Sequence, residues 1–151
     1  MKTKLHIQIQ GVIWKSEAYN QSVKLRYRLF REPFGLDCSE QELKQEKDEK
    51  FFGAFLNTRL VGFCACRKLS ETEYQIRHMV VEPKFQKQGV GALLVKACEN
   101  YLYESNVQTV VLDSREESVG FYKKLGYKIE GEKFFKKTVN HWKMIKQLKC
   151  N

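Results

Sequence analysis

Between Gln86 and Ala92 the chain reads QKQGVGA, a Gln-x-x-Gly-x-Gly spacing placed where an extended run stops at Pro83 and a helical pattern begins. The first turn of a helix has unsatisfied N–H groups and a partial positive charge, so an oxyanion there is stabilised by both. Gly89 and Gly91 have no Cβ to hold a phosphate away, and they permit positive φ where a turn needs it. Gln86, Lys87 and Gln88 can add side-chain donors. No Gly-Lys-Ser/Thr follows, so the phosphate loop of nucleotide triphosphatases is excluded. Leu94 stands where the dinucleotide fingerprint requires a third glycine. A second reading of the pair is purely structural: one glycine ends the strand and the other lets the helix pack closely.

Other chemistry-bearing residues are less directive. The five cysteines, Cys38, Cys64, Cys66, Cys98 and Cys150, have no regular spacing, which argues against a disulfide framework. No His or Cys set completes a zinc pattern, so no metal is expected, and the thiols read as reduced core residues. The formal charge of +9 attracts an anion, whether nucleic acid, phosphorylated cofactor or acidic substrate. The lysines are dispersed and no nucleic-acid-reading motif is present, so no nucleic-acid partner is expected.

Elements of a definite order must position the glycine turn. Residues 5–14 alternate and predict a first strand; Ser16 is placed to cap the next element. Val23, Tyr27 and Phe30 predict a helix from Ser22 to Arg31, broken at Pro33 and Gly35. Residues 39–47 predict a short polar helix with Ser39 at its cap and Glu42 at capping-box spacing. Strands follow at 50–57, 60–69 and 73–82, then a helix over 90–104 with Val90, Leu94, Ala97 and Tyr101 as its apolar stripe and Leu93 beside it. A strand over 107–113, a helix over 116–125 stopped by Gly126, and strands over 127–135 and 141–148 complete the chain. The pattern predicts one α/β domain over residues 1–151: a mixed sheet of six to seven strands flanked by about four helices. The helix over 90–104 has to cross between parallel strands. No apolar run approaches a membrane span and the N-terminus lacks a signal-peptide core, so a cytoplasmic protein without a membrane partner is expected.

Two segments resemble a known family. IRHMVVEPKFQKQGVGALLV resembles the pyrophosphate-binding motif of the GNAT superfamily of acetyl-CoA-dependent N-acetyltransferases. SREESVGFYKKLGYKIEGE resembles its second motif, with the aromatic pair Phe121–Tyr122 and the Leu-Gly-Tyr stop at 125–127. The element order also fits over nearly the whole chain, and EKFFKKTVNHWKM is similar to the tail of an ElaA-like branch.

The resemblance implies acetyl-CoA as cosubstrate and a primary amine of a small or amino-acid-like molecule as acceptor. Met79, Val80 and Val81 would offer backbone groups to the pantetheine arm. Gln86, Lys87, Gln88, Gly89, Val90, Gly91 and Ala92 would wrap the pyrophosphate. The amine must lose a proton, the oxyanion needs donors from the third strand, and the departing thiolate benefits from an acid. Tyr122 matches the family's usual acid; the structural alternative is a core aromatic on an amphipathic helix. Arg115 stands where many members carry Asn, and it could contact a phosphate or an acidic acceptor instead. Where some relatives place a carboxylate base, this chain has Gln75, which cannot titrate. His78 and His141 are the alternative bases. The acceptor site would draw on the first helices and last strands, where Arg26, Arg28 and Arg31 are too closely spaced to share one face. Homodimers are common among the enzymes it resembles. A non-catalytic acyl-CoA-binding module is the competing reading, kept open by Gln75 and Arg115.

Overall fold

The alternating run at the start of the chain forms β1 (Ile7–Val12), paired antiparallel to β2 (Lys50–Leu56) from Ile7–Leu56 to Val12–Phe51. These elements belong to a computed structural model, which describes residues 6–148. Leu5 and Lys149–Asn151, with Cys150 among them, lie outside the described residues. The chain divides into two compact units. One is built from residues up to Cys66 with His78–Cys98, the other from Arg67–Arg77 with residues from Glu99 onward.

In the first unit the strand order is β1-β2-β3-β4, with β3 spanning Arg59–Lys68 and β4 Glu73–Val81. β2 turns into β3 through Asn57, whose φ of 57° suits its short polar side chain. α1 (Glu17–Arg26) starts five residues before the predicted helix, because Ser16 caps it by accepting the Tyr19 N–H at 3.2 Å. It runs into a widened π turn over Tyr27–Arg31, and Gly35, at φ 67°, ends the segment. α2 (Glu40–Lys44) is capped by Ser39, which accepts the Glu42 N–H. The Glu42 side chain pairs with Arg31 at 2.8 Å instead of returning to the cap. The core is aromatic-rich: Phe51 stacks on Phe63 at 5.6 Å and tilts against Tyr19 at 5.3 Å.

α3 (Val90–Glu104) has the predicted bounds, but its buried stripe differs. Val90, Leu94, Val95, Cys98 and Leu102 are buried, whereas Leu93 and Tyr101 are 44% and 38% exposed. The inward face is rotated by about one position from the predicted one, which a period of 3.6 allows when apolar residues occur on both sides. Gly62 of β3 is why α3 lies so close to its strand. A Cβ there would sit 3.0 Å from Leu94 Cδ1 and 3.3 Å from the Val80 carbonyl oxygen.

In the second unit the order is β4-β5-β8-β6, with β7 also on β8. β5 (Thr109–Arg115) lies parallel to the start of β4, from Glu73–Thr109 to Gln75–Val111, and α3 makes the crossover. β8 (Val139–Gln147) is antiparallel to β5. Residues 127–135, predicted as one strand, form two: β6 (Lys128–Ile129) and β7 (Phe134–Lys136). Gly131, at φ 85°, turns the chain between them, so the described strands number eight rather than six to seven. α4 (Val119–Lys124) follows a single 3-10 turn and ends at Gly126, φ 98°. The mixed α/β class and four α-helices agree with expectation.

Candidate active site

The glycine loop belongs to the first unit. Glu82, just past β4, is 7% exposed, and its carboxylate takes Arg59 Nη2 at 3.0 Å and the Arg28 guanidinium. Its N–H donates to the Val61 carbonyl at 2.8 Å, so the start of the loop is fixed to β3. Pro83–Phe85 make one 3-10 turn, and Phe85 is buried. Gln86–Gly89 then form an exposed turn that opens directly onto α3. Lys87 and Gly89 are both left-handed, at φ 62° and 88°. Such alternation turns successive N–H groups toward one side, a concavity suited to an anion. A Cβ at Gly89 would meet nothing within 4 Å, so the glycine is there for its backbone and leaves the approach open. Gln86 and Gln88 brace the loop: their Nε2 groups donate to the carbonyls of Val81 and Lys84, both at 2.9 Å.

β4 carries a second feature. His78 has φ 56°, in the left-handed region that non-glycine residues enter rarely. It stands three positions past Gln75, the last residue of the parallel ladder with β5. A residue so turned re-aims the N–H and C=O groups beside it, as bulges near active sites do. Met79 and Val81 are half-buried and Val80 is buried.

The His78 imidazole lies beside a buried carboxylate. Its Nε2 is 3.2 Å from Glu46 Oε2, out of line for a hydrogen bond. Glu46 is 5% exposed and also takes Arg26 Nη1 at 3.0 Å, Arg26 Nη2 at 3.2 Å and the Tyr19 hydroxyl at 2.8 Å. Burial pushes the Glu46 carboxyl up, but His78 and Arg26 beside it outweigh that and hold the pKa at about 2. Burial, and then the Glu46 carboxylate, push the Tyr19 phenol up to about 12. Arg26 therefore points inward, but its charge is committed to Glu46. Arg28 is 56% exposed on Glu82, and Arg31 is tied to Asp37 and Glu42.

The second unit holds Tyr122, Arg115 and His141. Tyr122, on α4, is 6% exposed, with edge-on contacts to Phe121 at 4.9 Å and Tyr127 at 5.8 Å. It is the inner member of the aromatic pair; Phe121 is only half-buried. Arg115 ends β5 directly opposite His141 of β8. His141 is 8% exposed, stacks on Phe134 and has Nδ1 3.0 Å from the Val139 carbonyl oxygen, so in the neutral ring Nδ1 is the donor. Burial lowers its pKa, helped by Lys136 and Arg115 and opposed by the Val139 bond. Gln75 accepts from Arg67 at 2.6 Å.

Sequence reasoning missed Glu46 and Glu82. Glu46 sits in a run of polar residues that reads as a solvated helix face, and nothing in its spacing marks it. The cysteines follow expectation in part: Cys64, Cys66 and Cys98 are buried, and Cys64 Sγ lies 3.0 Å from Cys98 Sγ. Burial raises the pKa of Cys64, and the Cys98 hydrogen bond followed by burial raises that of Cys66. Cys38 is only half-buried. No helix among the described residues is long and apolar enough to cross a membrane.

With the fold and these residues in place, the chain matches the family model for the acetyltransferase (GNAT) domain over residues 16–148. It belongs to the GNAT family. It is similar to YitI, an uncharacterised N-acetyltransferase of Bacillus subtilis, at 26% identity over 144 residues, covering 91% of this chain and 97% of YitI. Among solved structures, an aminoglycoside 6'-N-acetyltransferase complexed with coenzyme A superposes with a TM-score of 0.80 at 19% identity, over 95% of this chain and 98% of that one. Escherichia coli ElaA does so with a TM-score of 0.77 at 19% identity, over 93% and 99%. These two likenesses show the fold.

Proposed function

We propose that the protein is a cytoplasmic enzyme that transfers the acetyl group of acetyl-CoA to a primary amine of a small-molecule or amino-acid-like acceptor. The observation that carries this reading is the Gln86–Gly89 turn. Two left-handed residues lead into the N-terminus of a long helix, in a chain that belongs to the GNAT family. Backbone N–H groups there suit a pyrophosphate, and Lys87 adds a cation. Met79–Val81 would present backbone groups to the pantetheine arm, with left-handed His78 setting their direction. Arg115 would contact a phosphate of the cofactor.

In the reaction the amine nitrogen attacks the thioester carbonyl carbon. A C–N bond forms, the C–S bond breaks, and backbone N–H groups of β4 hold the oxyanion. One amine proton passes to an imidazole, His78 or His141. One proton passes from the Tyr122 hydroxyl to the departing sulfur, and solvent exchange restores both residues. His141 supports its own candidacy because burial favours the neutral form that a base requires.

A panel of primary amines incubated with acetyl-CoA, read by release of the coenzyme A thiol, tests the reading. Transfer to at least one amine is expected. Acetyl-CoA binding by calorimetry with no thiol release across the panel would favour the non-catalytic binding module, and no binding at all would end both.

A further inference from the structure

Glu46 is a buried carboxylate that the family resemblance leaves without a role, and it holds one particular histidine. It follows α2, far in sequence from β4, yet its Oε2 comes within 3.2 Å of His78 Nε2. The carboxylate cannot swing away. Arg26 grips both oxygens, at 3.0 and 3.2 Å, and Tyr19 donates to Oε1 at 2.8 Å. Arg26 is itself fixed, with Nε directed to the Ser22 carbonyl and its guanidinium 5.0 Å over the Phe63 ring. The histidine at the end of this chain has the left-handed backbone found in no other residue of β4. A structural salt bridge would be satisfied by Arg26 and Glu46 alone. Adding an imidazole from a strained strand position calls for another explanation, since such strain collects at functional sites.

We infer that Glu46 is a positioning residue for acetyl transfer: substrate binding aligns the 3.2 Å His78–Glu46 contact so that Nε2–H rests on the carboxylate and Nδ1 takes the proton of the attacking amine. The inference rests on the acetyltransferase reading and assigns to His78 the base that the reading leaves between two histidines. The proton balance is unchanged: one proton leaves the amine nitrogen as the C–N bond forms, and His78 passes it to solvent before the next turnover. The charged and titratable groups held around Glu46 are Arg26 and Tyr19 from α1 and His78 from β4. Orienting a base through its second nitrogen is a general device, because the partner decides the tautomer and the direction of the lone pair.

The test is a double-mutant cycle on the full chain, with an amine accepted by the wild-type protein, joined to 15N NMR of the histidine side chains. Glu46→Gln and His78→Gln are each expected to lower kcat about 10²-fold, the usual scale for losing general-base catalysis. In Glu46→Gln the Kd for acetyl-CoA should stay within about twofold, since Glu46 lies outside the glycine loop. The combined variant should be no slower than His78→Gln alone, because residues acting as one unit are not additive. Should Glu46→Gln fail to fold, Arg26→Met/Glu46→Leu replaces the whole ion pair by apolar groups, an exchange buried pairs often tolerate. It should show the same loss of kcat. The neutral His78 ring should carry its proton on Nε2. Wild-type kcat in the Glu46 variants, full additivity in the cycle, or a proton on Nδ1 would each overturn the inference. The NMR readout needs no acceptor, so it separates failure of the dyad from failure of the acetyltransferase reading.

Discussion

Gln86 donates its side-chain amide to the carbonyl of Val81 at 2.9 Å, tying the first residue of the glycine loop to the last residue of β4. Gln88 does the same to Lys84 one turn further along. Both bonds lie within the exposed loop, where they add little to global stability but set the direction of the following N–H groups. Gln86→Leu is therefore expected to weaken acetyl-CoA binding about fivefold to tenfold, the loss of roughly 1 kcal/mol of preorganisation. Calorimetric titration against the wild-type protein measures it. An unchanged Kd would mean that the loop holds its shape without the brace.

Gly89 offers a cleaner separation of backbone from contact. Gly35 and Gly89 are both left-handed, at φ 67° and 88°, and a Cβ at either would meet nothing within 4 Å. Alanine at each position should therefore cost a similar amount, about 1–2 kcal/mol of conformational strain. Only Gly89→Ala should also impair acetyl-CoA binding, because only that residue lies in the loop proposed to hold the pyrophosphate. Thermal unfolding and titration of the two variants side by side check this. A matched loss of affinity in Gly35→Ala would assign the effect to stability.

Much of this arrangement was legible in the sequence, for identifiable reasons. Ser16 and Ser39 announce helix starts because an N-cap acts within three residues. The α3 bounds follow from the glycine turn and a long apolar period. Features that depend on distant partners were not legible. Glu46 is one acid among several in a polar stretch, and only its return to Arg26 and His78 distinguishes it. His78 is left-handed although nothing in its neighbours requires glycine-like backbone. β5 runs two residues past its predicted end because β8 pairs with Ser114 and Arg115 there. Leu93 and Tyr101 read as core, yet Val95, Cys98 and Leu102 took that face.

Two buried groups give the stability a pH dependence in separate windows. The Glu46 carboxyl is lowered from 4.5 to about 2 in the folded protein. The unfolded state therefore binds the proton first on acidification, and the stability contributed by Glu46 is complete above about pH 4.5 and lost as pH falls toward about 2. The full contribution is roughly 3 kcal/mol. His141 is also lowered, by burial above all, so its contribution is complete above the ordinary histidine range and declines as pH falls below 6.5. Urea unfolding from pH 8 to pH 3 should show a shallow decline near pH 6 and a steeper one below pH 4.5. Glu46→Gln should flatten the lower window and His141→Gln the upper. If both variants kept the wild-type profile, other groups would carry the acid sensitivity.

Tyr122 is 6% exposed on α4, packed edge-on against Tyr127, so its ring has a structural use whatever its hydroxyl does. Tyr122→Phe retains the ring and removes one oxygen. Were the residue only a core aromatic, the variant would lose on the order of 1 kcal/mol of stability and no activity. As the acid that protonates the departing thiolate, the hydroxyl acts in the transition state. Its removal should lower kcat about 10²-fold while the Kd for acetyl-CoA stays within about twofold. The loss should shrink with an acyl donor whose thiol is more acidic, because such a leaving group needs less protonation. Steady-state kinetics with acetyl-CoA and with an activated thioester compare the two cases. An equal loss with both donors would place the hydroxyl in binding or packing rather than in proton transfer.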